Sequence, residues 1–407
     1  MSTEILLFAV LAFLAAGFLF DTWLSVLNFR HSQSQAWNKE IFTKDQHDKS
    51  LRYQREKFII KTFSSGTSFL LVFSAIGLGL FGLLDNFLRT FTTHPILLVL
   101  LFFAVYGLIT TLVSFIFESY TTFSIEKRYG FNRTTIGTFL LDTFKSILIS
   151  AILGGGILSL LVWLNQLLQE SFWIAAWAVI MTVILFLFAF QTSVLLPIFN
   201  KLNPLPEGDL RNALLNYCTS QGYSIKRLFV MDGSKRSSKA NAFFSGIGNS
   251  RTVVLFDTLI EKLSIDEVTA VLAHEIGHDK RKHTLASLGL TAGQMFIFTF
   301  LFGQILERDE FAMVLGAQPS FHIAAIAFLV LFRPASLLLS WASNTISRKN
   351  EFAADKFATS TYKAGSMKSA LEKMASEELV NLSPHPWYVK VHYSHPPIVE
   401  RVKALFN

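Results

Sequence analysis

The stretch VLAHEIGHDKRKH, residues 271–283, sets two histidines four apart with a glutamate beside the first. It then passes through basic residues into the apolar segment 284–306. Just upstream, Ser264 stands three residues before Glu267, the capping-box signature of a helix start. Ile265, Val268, Leu272 and Ile276 follow at helical spacing, so both histidines are expected well inside a helix. A polar helix joined directly to a membrane-length run decides the architecture: part of this chain is built for water and the larger part for lipid.

Composition agrees. The 407 residues are 51% hydrophobic and 16% charged, with 41 Phe and a mean hydropathy of +0.43; soluble domains carry about 25% charged residues. Apolar runs at 5–27, 67–87, 95–117, 147–168, 172–197, 284–306 and 321–342 are each long enough to cross a hydrocarbon core about 30 Å thick. The expected fold is mostly α: a polytopic membrane protein with seven transmembrane helices and a polar α+β domain. The first run opens MSTEILL without positive charge and reads as a retained span, not a cleaved signal. Asp21 within it is costly in lipid and is expected to face the bundle interior or water.

Charge placement gives the orientation. Lysine and arginine occur 8 times in 30–61, 4 times in 127–145, 12 times in 201–282 and 9 times in 348–403, which is 33 of the 36. The alternate loops hold only Arg89 and Arg308, and Arg333 lies within the seventh run. Positive loops stay cytosolic, so the N-terminus is expected outside and both 198–283 and 343–407 inside. The net charge of +7 then marks a face near anionic lipid. No nucleic-acid partner is expected, because the basic residues are spread over four segments with no binding module. Cys218 is the single cysteine, which excludes an intramolecular disulfide; it reads as a small buried apolar residue.

The expected organisation is a bundle of spans one to five with their loops (1–197), a polar part carrying the two-histidine helix (198–283), spans six and seven (284–342) and a polar tail (343–407). Residues 28–66 read as a polar, partly helical loop. Within 198–283 the pattern predicts a helix over 207–222. IKRLFVMD, NAFFSGI and RTVVLFD read as strands of a small antiparallel sheet.

On a helix, His274 and His278 lie one above the other and together suit one zinc ion. Glu275 points to the side, where it can take a proton from water made acidic by the metal, whose pKa falls towards about 7. A catalytic zinc usually takes three protein ligands. In NTISRKNEFAADKFA, residues 344–358, Glu351 and Asp355 are four apart and share a face. Glu351 is the candidate third ligand, and Asp355 the partner for the far nitrogen of a ligating histidine.

HEIGH followed by NTISRKNEFAAD resembles the M48 metallopeptidases, and specifically the Ste24-type CAAX prenyl proteases. SIEKRYGFNRTT, FNKLNPLPEG, SKANAFFSG and YSHPPIVERV resemble segments of that family in the same order, so the resemblance covers nearly the whole chain. The smaller HtpX type has fewer spans and is a poorer match. The resemblance implies His274, His278 and Glu351 as ligands of one Zn2+ and Glu275 as general base. It implies that Asn241, Ala242 and Phe243 form an edge strand pairing with substrate backbone. It sets His395 and Arg401 near the scissile carbonyl, although on the residues alone His395 before two prolines reads equally as a turn residue and Arg401 as a structural ion pair. His283, His385 and His392 are expected exposed or hydrogen-bonded, not ligating. A large intramembrane chamber with the metal at its cytosolic side is implied as well.

The implied activity is that of a zinc metalloendopeptidase cutting near the C-terminus of prenylated CAAX-type or other membrane-associated polypeptides. Its membrane would be the ER or a bacterial inner membrane, with the short outward loops leaning to the second. The alternatives are a quality-control protease, or a chaperone-like scaffold whose metal is closed by four protein ligands. A transporter would need ionisable pairs inside several spans, and these spans hold few.

Overall fold

The computed structural model describes residues 3–223, 225, 227–245 and 252–406. Met1 and Ser2 of the opening run, and Lys226, Gly246, Ile247 and Arg251 at expected strand ends, lie outside the described residues. Helix α1 (Thr3–Ser34) has 32 residues, about 48 Å at 1.5 Å per residue, so it projects well beyond a bilayer core. Helix α2 (Lys44–Gly77) starts on a capping box between Thr43 and Gln46. The partly helical loop expected over 28–66 is thus two helix extensions joined by the irregular segment 35–43. Its polarity is that of a helix rich in Lys, Arg and Gln, all good helix formers, docked on other segments. Ser50 Oγ and Gln54 Nε2 both donate to the Leu379 carbonyl, and Tyr53 packs with Ile125, Tyr129 and Phe131.

The second span also ends earlier than expected. Helix α2 stops at Gly77, Gly79 turns the chain in a left-handed conformation (φ 65°), and α3 (Leu80–Arg89) runs separately. An added Cβ at Gly82 would collide with the Gly316 carbonyl, so the close seat of α3 needs that glycine. Hydropathy carries straight through this turn, which is why a 67–87 span was expected. Helix α4 (Pro95–Tyr120) continues as a π-helical turn over Thr121–Glu126. Helices α5 (Ile136–Ile149), α6 (Gly155–Leu168), α7 (Phe172–Phe190) and α8 (Leu196–Phe199) complete one long helical run. That run breaks at Gln169 (φ 45°, ψ −116°), where Leu161 and Val162 of α6 come to pack with Phe172 and Ala176 of α7.

Strand β1 (Leu202–Pro204), helix α9 (Asp209–Ser220) and strands β2 (Arg227–Met231), β3 (Ala242–Ser245) and β4 (Thr252–Phe256) open the polar part. The strand order is β1-β2-β4-β3. Both edge pairs are antiparallel, but β2 and β4 are parallel. The antiparallel sheet expected from sequence is therefore mixed. Its two central strands, RLFVM and TVVLF, are the apolar runs that a doubly covered parallel pair requires. Helices α10 (Asp257–Lys262) and α11 (Ile265–Lys280) pack on it. Leu214, Cys218, Leu228, Val253, Leu255, Leu272 and Ile276 form one buried core. Burial pushes the Cys218 thiol up to about 12, an inert core residue.

Helix α12 (His283–Leu306) returns to the membrane. Short α13 (Asp309–Val314) leads to α14 (Phe321–Leu331), and α14 meets α15 (Arg333–Thr361) at a 56° bend beside Pro334, a usual cause of such kinks. Among the described residues, five helical runs are long and apolar enough to cross a bilayer, or six with the bent pair. Gln169 further divides the 136–199 run into two arms, so the seven expected spans are roughly consistent with this count. Inside the bundle, Asp21 pairs with Arg333, and the fully buried Asp85 holds both Arg89 and His322. Helices α16 (Ala364–Glu377), α17 (Pro386–His392) and α18 (Ile398–Ala404) close the chain. Helix α17 is strapped to α15 by Arg348, which donates to the Val389 and Tyr393 carbonyls.

Candidate metal centre

The site begins with the capping of α11. Ser264 and Glu267 cap each other reciprocally, and Val268, Leu272, Ala273 and Ile276 bury one face in the core. That fixes the roll of the helix and turns His274 and His278 towards α15. There Glu351 and Asp355, four residues apart, face back and are buried. The two helices approach closely because Gly277 has no side chain: a Cβ there would stand 3.2 Å from the Ala354 backbone.

Three donor groups converge. His274 Nε2 lies 3.1 Å from His278 Nε2 and 3.6 Å from Glu351 Oε2, and His278 Nε2 lies 3.3 Å from Glu351 Oε1. Ligands bound tetrahedrally at zinc distances of 2.0–2.1 Å stand about 3.3 Å apart. These spacings, and a donor set of two imidazoles and a carboxylate, fit a zinc ion. Glu351 Oε2 is buried, with the Arg401 guanidinium 3.2 Å away as its ion-pair partner.

Behind the donors stands a second layer. His274 Nδ1 is 2.8 Å from Asp355 Oδ1. Arg401 grips Asp355 with Nε at 2.8 Å and Nη2 at 2.7 Å, and its Nη1 lies 3.2 Å from Glu351 Oε2. Arg401 is 7% exposed; it is ion-paired with both carboxylates and also contributes to the lining of the cavity over this centre. Burial works against its charge, but Asp355 and Glu351 together raise its pKa. Glu275 lies on the cavity side of the site, where burial lifts its carboxyl above the ordinary range, opposed by His274 and His278.

A cavity of about 490 Å³ opens over this centre, lined by Glu275, His283, His395, Ala240, Asn241 and Ala242 among others. His395 is exposed, with Nε2 3.3 Å from Glu351 Oε1. Strand β3 is a sheet edge, and Asn241 Oδ1 accepts from the Ala242 N–H. The Phe243 ring meets Phe256 instead of the cavity. His385 caps α17 and His392 lies near Asp21. A second cavity of about 700 Å³ lies between α1, α2 and α4, with polar lining from Asn28, Lys57, Ser65, Ser114 and Glu118.

Residues 27–201 match the family model described as CAAX prenyl protease N-terminal, five membrane helices, and residues 204–407 match that of peptidase family M48. The chain belongs to the M48 metallopeptidases. Its relatives are CAAX prenyl proteases. A CAAX prenyl protease 1 homolog of Oryza sativa subsp. japonica is 39% identical over 71% of this chain and 68% of its own. One of Taenia solium is 31% identical over 98% and 94%. The crystal structure of S. mikatae Ste24p matches with a TM-score of 0.94 at 26% identity, over 100% of both chains. This chain is thus a multi-pass membrane metallopeptidase of that family.

Of two residues beside this metallopeptidase centre, the first was not singled out from sequence and the second was given no part in the site. Gly277 is the first; a glycine inside the last turn of a strongly capped helix was its signal, because glycine costs about 1 kcal/mol within a helix. His283 is the second, expected only to be exposed or hydrogen-bonded. It sits with Nδ1 3.0 Å from His278 Nδ1.

Proposed function

We propose that the protein is a zinc metalloendopeptidase that hydrolyses peptide bonds near the C-terminus of prenylated CAAX-type or other membrane-associated polypeptides, with its active site on the cytosolic side. The observation that carries this reading is the opening of the three-donor cluster onto the same cavity as Asn241 and Ala242, at the outer strand β3 of the sheet.

His274, His278 and Glu351 would hold a zinc ion, which when bound would supply a Lewis acid able to polarise the scissile carbonyl and make water more acidic. The chain's own groups do the rest. The β3 edge at Asn241 and Ala242 holds an extended peptide by strand addition. Glu275 accepts the proton of the attacking water and hands it to the leaving amine nitrogen as the C–N bond breaks. His395, exposed beside Glu351, donates to the carbonyl oxygen as negative charge develops. Arg401 and Asp355 hold Glu351 and His274 in place. In this reading 198–283 and 343–407 form the hydrolytic part, and 1–197 with 284–342 the membrane part.

The test is incubation of purified protein with farnesylated and non-prenylated forms of one peptide, with and without a chelator. Chelator-sensitive cleavage favouring the farnesylated form is expected. Equal cleavage of both would remove the prenyl group from the proposal and leave a quality-control protease acting on non-prenylated clients. Binding without chelator-sensitive cleavage would leave a chaperone-like scaffold.

A further inference from the structure

His283 opens α12 directly after Lys282, whose backbone is left-handed (φ 57°). That turn folds His283 back over the end of α11. Its Nδ1 comes within 3.0 Å of His278 Nδ1, with the rings 5.0 Å apart at 75°. A histidine that binds metal through Nε2 carries its proton on Nδ1, and that proton needs an acceptor to hold the ring. For His274 the acceptor is Asp355. For His278 the same place is taken by His283.

We infer that His283 is a positioning residue for the metal: its Nδ1 accepts the Nδ1–H of His278 and keeps the Nε2 of that ring turned towards Glu351. The pattern requires the His283 proton on Nε2. It also removes His283 from the ligand set, since it meets His278 on the side of the ring away from Nε2. The two ligating rings are then unequal. His274 is backed by a carboxylate gripped by Arg401, and His278 by a neutral imidazole. Retention of the metal at that corner depends on one hydrogen bond from the first residue of a membrane helix.

The inference rests on the zinc reading above, and the test separates the two. Full-length wild type, His283→Ala, His283→Asn and His283→Gln are compared in detergent by zinc competition against a chromogenic chelator and by melting of the metal-free protein. His283→Ala should weaken zinc binding about 10- to 100-fold. His283→Asn should recover most of this, because its amide oxygen falls where Nδ1 was, and His283→Gln should not. Metal-free melting should be the same in all four. Unchanged affinity in His283→Ala overturns the inference, as does an equal loss in Ala and Asn, or metal-free melting that falls in step with affinity. A wild type that binds no zinc would instead remove the proposed function, and this inference with it.

Discussion

Gly277 of α11 and Ala354 of α15 meet with no side chain between them: a Cβ at 277 would stand 3.2 Å from the Cα and the carbonyl oxygen of Ala354. Helix α15 carries Glu351 one turn before that contact. Gly277→Ala should push α15 outward by a few tenths of an ångström and carry the carboxylate away from the two imidazoles. Overpacking of this kind costs about 1–3 kcal/mol, and about 1.4 kcal/mol of it felt at the metal is a tenfold loss of affinity. Chelator competition on the purified variant measures it. Wild-type affinity would mean that the helix crossing absorbs the methyl group without moving the ligand.

Glu275→Gln keeps the shape of the side chain and removes the proposed base. Zinc content by atomic absorption should stay at the wild-type level, while cleavage of a fluorogenic peptide falls about 10²- to 10⁴-fold. Near wild-type turnover would take the proton-transfer role away from Glu275.

Arg401 is the buried cation between Asp355 and Glu351. Arg401→Leu leaves both carboxylates buried without their partner, a change that costs about 3–5 kcal/mol. Thermal melting in detergent should drop accordingly. Arg401→Lys restores the charge but not the planar fork, and should melt between the two. A leucine variant as stable as wild type would mean that metal alone balances the carboxylates.

Glu267 gives the pH dependence. Burial opposes its charge, but Lys373, Ser369 and Ser264 hold its pKa down to about 2, against an ordinary 4.5. A depressed folded-state pKa stabilises above the unfolded value and loses that contribution as pH falls from 4.5 towards 2. Glu267→Gln should cost about 1.5–3 kcal/mol at pH 7, the range for hydrogen bonds to charged groups. It should also flatten the melting profile between pH 5 and pH 3. An unchanged slope would assign acid sensitivity to other carboxylates.

Local signals made the centre readable. The Ser264 cap, the apolar stripe of α11 and two four-residue spacings, His274–His278 and Glu351–Asp355, each follow from helix geometry within one segment. What sequence did not yield depends on where segments meet. Parallel β2 and β4 cannot be read from apolar runs alone, since such runs carry no direction. The turn at Gly79 lies inside unbroken hydropathy. The helix over 44–57 reads in sequence only as part of a partly helical loop, because its docking beside Leu379 and Tyr129 is a long-range contact. The grip of Arg401 on Asp355 joins residues 46 apart, a distance across which no periodic pattern speaks.

Helix α15 runs unbroken from the 56° bend at Phe332 to Thr361. Glu351 therefore sits roughly 27 Å along a stiff rod from Arg333, at 1.5 Å per residue, and Arg333 is anchored to Asp21 within the lipid-embedded bundle. Helices tilt to match hydrocarbon thickness, and a tilt at the anchored end is magnified at the far one. Chemistry carried out in water thereby inherits a dependence on how long the surrounding acyl chains are. Reconstitution in short- and long-chain lipids, read as zinc retention, would reveal that dependence or its absence.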